Sequence, residues 1–164
     1  MKRFISAAII ILAYSSAAFA DPAEGYWLSV DHKTGQVESG WEIYQHDGNL
    51  LGKILSGLGT SASDIATRCR ESYANFPVSG RVNQMPVLGT PWIFGLIRES
   101  PGRWVNGHVI NPADGGIYRC TLIFHPVDGK KFMHETLEVR GQLLFFSGSQ
   151  YWRRATREEA SALR

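Results

Sequence analysis

The stretch from residue 104 to residue 124 most restricts what this chain can fold into, because it predicts a β-hairpin. Two runs rich in β-branched and aromatic residues, 104–110 and 117–124, flank the sequence Asn-Pro-Ala-Asp-Gly-Gly. Proline presets φ for a turn, Asn and Asp bond their own backbone, and glycine tolerates positive φ. The second run alternates with a period of two, which indicates a sheet with different surroundings on its two faces.

The rest of the chain continues this antiparallel pattern. Further strands are predicted at residues 25–30, 36–44, 49–56, 92–99, 135–141, 143–146 and 150–154. The dipeptide Asp47-Gly48 is a strong signal for a tight turn between two of them. Turns spaced by roughly 8–12 residues are typical of a sandwich or a barrel, and closing the sheet removes exposed edges. We therefore predict an all-β fold, a small antiparallel β-barrel of about eight strands.

Two short helices are predicted beside the strands. The mid-chain helix lies within residues 57–75, where Ser61 or Ser63 can serve as the N-cap. Its apolar stripe recurs at a spacing of four residues, at Ile65, Cys69 and Tyr73. The second helix lies at the C-terminus, where Thr156 and Glu159 form a capping box.

Residues 1–20 have the pattern of a cleaved signal peptide. Lys2 and Arg3 precede an apolar run that is too short for a permanent membrane span, and Ala-Phe-Ala at 18–20 is a cleavage signal. The sequence therefore predicts a periplasmic or secreted protein, without stable membrane insertion after cleavage, whose residues 21–164 form a single domain. A retained N-terminal anchor is the alternative.

The charge balance argues against nucleic acid as a partner. Lys2 and Arg3 account for the whole formal net charge of +2, so that the chain after the signal peptide is neutral. Nucleic-acid binding needs a basic patch or stripe. The composition predicts no nucleic-acid partner.

The two cysteines, Cys69 and Cys120, predict a disulfide bond. An even number of cysteines in an exported protein favours pairing. The alternative is two separately buried thiols, because export alone does not force a bond. Two cysteines without a clustered histidine are a weak basis for a zinc site, and we predict no metal.

Several short motifs follow one another in a distinctive order. They are G-x-W-L (Gly25, Trp27, Leu28), L-x-G-K-I (Leu50, Gly52, Lys53, Ile54), W-x-x-G-x-x-x-x-P-x-x-G (Trp104, Gly107, Pro112, Gly115), Y-x-C (Tyr118, Cys120), L-x-V-R-G (Leu137, Val139, Arg140, Gly141) and W-x-R (Trp152, Arg154). This order resembles the bacterial exported family called domain of unknown function 2147, across nearly all of residues 21–164. The ordered set is specific, whereas no single motif is.

The resemblance implies a lipocalin-like barrel with no established enzymatic activity. It also implies a structural role for the motif residues Gly25, Trp27, Pro112, Gly115, Arg140, Trp152 and Arg154. In the lipocalin signature a tryptophan closes the barrel floor beneath an arginine from a late strand, and Trp27 and Arg154 match these two positions. A closed meander brings the first and last strands together, so that we expect the Arg154 guanidinium on the Trp27 ring, with backbone carbonyls as its other partners.

Five side chains are candidates for ligand contact, namely Trp41, Trp92, Trp104, His108 and Tyr118. His108 lies in mid-strand, on the face that it shares with Trp104, Asn106 and Ile110. It could contact a polar ligand group if that face lines a cavity. The alternatives are a hydrogen-bonded wall histidine and tryptophans that are plain core, since small barrels are often filled by side chains alone.

No catalytic constellation and no cofactor motif stands out. The five histidines are scattered, no G-x-S-x-G motif is present, and the acids have no pairing that indicates acid–base chemistry. We therefore expect a non-enzymatic barrel, without a cofactor, that binds a small hydrophobic or amphipathic ligand. The alternative is a filled barrel that acts through its surface as an envelope partner or inhibitor. An enzyme would require a cavity that holds His108 against a buried acid.

Overall fold

The computed structural model describes residues 20–31, 33–143 and 146–164, and the side chains of residues 142–147 are not described. The predicted signal peptide, apart from Ala20, lies outside the described residues. His32 and the centre of the strand predicted at 143–146 also lie outside them. No helix in the described ranges is long and apolar enough to cross a membrane.

Eight antiparallel strands form a closed barrel in which each strand pairs with its neighbour in the chain and β1 pairs with β8. The strands are β1 (Gly25–Val30), β2 (Val37–His46), β3 (Asn49–Gly57), β4 (Pro91–Ser100), β5 (Arg103–Ile110), β6 (Ile117–His125), β7 (Thr136–Leu143) and β8 (Phe146–Ala155). The all-β barrel prediction is confirmed. The separate strand predicted at 143–146 is wrong, because β7 and β8 remain paired up to Leu143 and Phe146.

The turns of the sheet follow their sequence signals. Asp47 and Gly48 both have positive φ, as a tight two-residue hairpin requires. At the β5–β6 turn, Asn111 and Asp114 accept hydrogen bonds from the backbone of Ala113 and Gly116. Gly115 has a φ of 74°, and a side chain there would meet the backbone carbonyl of Arg68. The central hairpin prediction is confirmed.

The predicted mid-chain helix is wrong. Residues 58–90 form a long loop whose one helical turn is a short 3-10 helix at Val82–Gln84. Ser61 and Asp64 accept local backbone hydrogen bonds from Ser63 and Ser61, which gives this stretch an alternative to helical bonding. Ile65 forms an isolated β-bridge with Pro86 instead of continuing an apolar stripe.

The C-terminal helix α1 (Arg157–Ser161) is confirmed together with its capping box between Thr156 and Glu159. It packs on the outer face of the barrel through the fully buried Ala160. Ser56 Oγ donates to the Ala160 carbonyl at 2.7 Å, and Gly40 leaves room for the helix backbone. The helix therefore covers the outer face of β2 and β3.

The predicted disulfide is wrong, because Cys69 and Cys120 are both free and buried. Cys69 packs against Gly115 in the β5–β6 turn, whereas Cys120 lies three residues into β6. Three strand residues span about 10 Å, beyond the Cα separation that a disulfide accepts. Burial raises the pKa of Cys120 to about 12, so that its thiol is not reactive at neutral pH.

Candidate functional site

One end of the barrel, here called the floor, is closed by residues 21–24. The buried Asp21 carboxylate accepts hydrogen bonds from Trp104 Nε1 at 3.0 Å, Gly102 N at 3.1 Å and Arg98 Nε at 3.1 Å. Burial alone would raise the pKa of Asp21, but the bonds from Trp104, Ala23, Gly102 and Arg98 outweigh it and hold the pKa below its ordinary value. Asp21 therefore anchors the segment before β1 to β4 and β5.

Arg154 completes the floor from β8. Its Cζ lies 3.9 Å from the centroid of the Trp27 ring, and its two terminal nitrogens donate to the carbonyls of Glu24 and Pro22 at 2.6 Å each. A Cβ at Gly25 would lie 2.6 Å from Arg154 Nη1, and Gly25 has a φ of 122°, so that glycine is required there. The contact between Arg154 and Trp27 that the sequence predicts is present.

The other end of the barrel, here called the mouth, opens into a cavity of about 710 Å³. Below it the barrel is solid, with the fully buried side chains of Trp27, Ile43, Leu50, Leu96, Trp104, Leu122 and Leu137. The apolar part of the cavity wall consists of Trp41, Ile54, Ile93, Val109, Val139 and Trp152. Ligand sites of small molecules occupy roughly 300–1,000 Å³ and are largely apolar.

An indole pair forms one side of the cavity. The rings of Trp41 and Trp152 stack with their centroids 4.9 Å apart. The Nε1 of Trp41 donates to Ser39 Oγ at 2.8 Å, and the Nε1 of Trp152 donates to Gln150 Oε1 at 3.2 Å. Both indole N–H groups are thus satisfied inside the protein, and the cavity has a polar side next to its aromatic wall.

The loop of residues 58–90 shapes the rim of the mouth. Ile65, Arg68 and Val87 from this loop line the cavity. Tyr73 Oη donates to the Gly115 carbonyl at 2.7 Å and accepts from the Arg70 backbone, which ties the loop to the β5–β6 turn. Pro112 of that turn also lines the rim. The loop therefore forms part of the rim of the mouth and is held there by its hydrogen bond to the β5–β6 turn.

The structure places Trp41, alone among the five ligand candidates, in the wall of the cavity. His108 pairs with Arg119 and Phe94 and stacks on the Phe94 ring, on the outer face of the barrel. The cause is a register shift between Trp104 and Gly107, where Asn106 has a φ of 62°. This bulge breaks the alternation, so that Trp104 points inward and His108 outward.

The other three candidates lie elsewhere. Trp92 lies on the outer face of β4, where it contacts Phe76 of the long loop and donates to the Val87 carbonyl. Trp104 belongs to the floor. Tyr118 shares the inward face with Cys120, but its hydroxyl lies next to Gly116 in the turn.

Sequence reasoning missed several cavity residues. Ser29, Ser39 and Gln150 line the cavity, and Trp152, which was assigned a structural role, forms half of the indole pair. Alternation along the strands is a signal that identifies them. Ser29 lies two residues from Trp27, Ser39 two from Trp41, and Trp152 and Gln150 two and four from Arg154. Isolated serine and glutamine residues carry no binding motif, so that the sequence does not single them out.

A second polar cluster lies on the outer face around the buried Glu138. Its carboxylate accepts from Arg140 Nη2 at 2.8 Å and contacts His125 Nε2 at 2.7 Å and Ser149 Oγ. Burial would raise the pKa of Glu138, but the bonds from Ser149, His125 and Arg140 lower it to about 2. The carboxylate stands between the serine and the histidine, whereas a catalytic triad needs the histidine in the middle. The cluster joins β6, β7 and β8 and gives Arg140 a structural partner.

A family model described as "Uncharacterized protein conserved in bacteria (DUF2147)" matches residues 25–154. The chain belongs to the DUF2147 family. The matched residues run from the glycine beneath the Arg154 guanidinium to Arg154 itself, and so include all of the barrel of this DUF2147 protein except the last residue of β8. The resemblance that the ordered motifs indicate is confirmed.

A solved structure supports the fold of the DUF2147 barrel. Its title is "Protein HP1028 from the human pathogen Helicobacter pylori belongs to the lipocalin family". The similarity has a TM-score of 0.60 at 15% sequence identity and covers 84% of this chain and 85% of that chain. No curated protein matches the chain. The DUF2147 protein therefore has a lipocalin-like fold, and at this identity the likeness extends to the fold alone.

Proposed function

We propose that this barrel binds a small hydrophobic or amphipathic molecule, without catalysis, in the cavity at its mouth. The observation that carries the proposal is the cavity of about 710 Å³ above a solid floor, with the Trp41–Trp152 pair in its wall. A filled barrel that acts through its surface has less support, because the upper half of this barrel is not filled by its own side chains.

Filling the cavity tests the proposal. Val139 lines the cavity on β7, and Val139→Trp is expected to weaken binding of the neutral fluorophore N-phenyl-1-naphthylamine by about tenfold, because the indole occupies ligand space. Fluorescence titration of purified protein measures the affinity, and native mass spectrometry reports any molecule retained from the cell.

Val105→Trp is the matched control. Val105 pairs with the exposed Ile97 on the outer face, so that the same substitution there leaves the cavity untouched. Equal affinities of the two variants, or no binding by the unmodified protein, would show that the cavity is not the binding site.

We propose further that the protein is exported and cleaved after Ala20. The cleavage pattern at residues 18–20 supports this, and so does the floor. The backbone nitrogen of Asp21 lies 2.8 Å from Glu24 Oε1, so that a new α-ammonium group would form an ion pair there. Cleavage at this bond would leave all the floor contacts of Asp21 intact.

N-terminal sequencing of protein from the periplasmic fraction is expected to begin at Asp21. Ala18→Arg should accumulate uncleaved chain, because the cleavage site requires small residues at its first and third positions. Phe19→Ser changes the permissive middle position and should be processed normally. An intact Met1 on cytoplasmic protein would contradict export.

A further inference from the structure

The hydrogen bonds of Ser29 and Ser39 leave one of their two hydroxyl hydrogens without an acceptor among the described residues. The two hydroxyl oxygens lie 2.6 Å apart, and Ser39 Oγ also accepts from Trp41 Nε1. One hydroxyl hydrogen forms the bond between the serines, whichever residue donates it. The other hydroxyl hydrogen has no acceptor among the described residues. Since both serines line the cavity, the pair presents one O–H donor to it.

Gln150 presents donors to the same cavity. An indole N–H can only donate, so that the Gln150 atom which faces Trp152 Nε1 must be the amide oxygen. The orientation of the amide is thereby fixed, and its NH₂ group has no acceptor within the described part of the chain. Gln150 lines the cavity with its residue only partly buried, which leaves this amide group accessible to a ligand.

These donors belong to neighbouring strands. The antiparallel register pairs Leu28 of β1 with Arg153 of β8. Continuing this register puts Ser29 beside Trp152, two residues from Gln150. Diagonal neighbours in a sheet lie roughly 7–8 Å apart, a span that one ligand group can bridge.

The charges of the cavity are at its rim. Arg68 is the one cation among the lining residues described, and the acids Glu38 and Asp64 line the same cavity. The inner wall around Ser29 and Gln150 therefore has donors but no positive charge. Burying a carboxylate without a cation is costly, whereas a neutral oxygen can accept these bonds at little cost.

We propose that the cavity selects molecules with an apolar body and a neutral oxygen acceptor, such as a ketone or an ester carbonyl. The Ser29–Ser39 pair and the Gln150 amide bind the oxygen, and the stacked indoles pack against the body. This inference rests on the proposed function, since it assigns the ligand class of the same cavity.

The test compares 2-undecanone with 2-methyl-1-undecene, in which a CH₂ group replaces the carbonyl oxygen. Each compound displaces N-phenyl-1-naphthylamine, and the ratio of the two affinities is compared between variants, so that differences in water solubility cancel. The variant Ser29→Ala/Ser39→Ala/Trp41→Phe should lower the ratio by about tenfold relative to Trp41→Phe alone, because both hydroxyl donors are lost and no indole N–H is left in their place.

The possible outcomes distinguish a failure of this inference from a failure of the proposed function. An unmodified protein that does not bind the fluorophore contradicts the proposed function. If the fluorophore binds but Trp41→Phe and the triple variant have equal ratios, the inference is overturned and the proposed function stands. Tighter binding of undecanoate than of 2-undecanone, lost in Arg68→Gln, would assign an acidic ligand instead. Circular dichroism of each variant verifies that the barrel is folded.

Discussion

Arg154→Ala is expected to lower the free energy of unfolding by about 3 kcal/mol. The guanidinium lies 3.9 Å from the Trp27 ring and donates to the carbonyls of Pro22 and Glu24, so that alanine removes a partly desolvated cation–π contact and two charge-assisted hydrogen bonds. The ion pair with the half-exposed Glu135 adds little, because solvent screens it. Urea denaturation measures the change.

Arg153→Ala is the matched control. Arg153 is exposed and pairs with Leu28 from the outer face, so that its loss should change stability by less than about 0.5 kcal/mol. Arg154→Lys should recover part of the loss, because an ammonium group lacks the planar fork that reaches both carbonyls. If Arg154→Ala and Arg153→Ala were equally stable, Arg154 would have no role in the floor.

Asp21→Ala is also expected to lower the free energy of unfolding by about 3 kcal/mol at neutral pH. The substitution leaves the buried Trp104 Nε1 and Gly102 N without their acceptor and frees the chain before β1. Thermal and urea unfolding, compared with Glu71→Ala at an exposed ion pair, measure the effect. A loss no larger than that of Glu71→Ala would contradict the anchoring role of Asp21.

The cost of Asp21→Ala should depend on pH. The folded pKa of Asp21 lies below its ordinary value of 3.8, so that the ionised carboxylate stabilises the fold above that pH. This contribution is lost as the pH falls through the folded pKa. The difference in the free energy of unfolding between the unmodified protein and the variant should therefore have its full value near neutral pH and decrease below about pH 3.8.

The strands and turns could be predicted from local sequence, because alternation and turn residues act over a few positions. The face of each side chain could not, since one bulge reverses it. Asn106 takes a positive φ in mid-strand without a glycine to signal it, and this moves His108 from the inner to the outer face. A prediction of the cavity by unbroken alternation therefore selects the wrong side chains beyond the bulge.

The predicted mid-chain helix is wrong for a related reason. A spacing of four at Ile65, Cys69 and Tyr73 matches a helix, but Ile65 bridges to Pro86 within the same loop, whereas Cys69 and Tyr73 both contact the β5–β6 turn at Gly115. Tertiary contacts decide the conformation of such a segment. The floor contains one contact that could be predicted and one that could not. The Arg154–Trp27 contact follows from closing the meander. The Asp21–Trp104 bond joins residues 83 positions apart and has no local signal in the sequence.

The pairing of β1 with β8 also has a kinetic consequence. The bond from Arg154 to the Glu24 carbonyl joins residues 130 positions apart, so that the chain cannot close until its last strand is available. Loop closure must precede the contacts that reward it, and folds with such distant pairings form slowly. A polypeptide that completes its core only with its last strand cannot finish folding before that strand is synthesised, a delay that would suit the export proposed above.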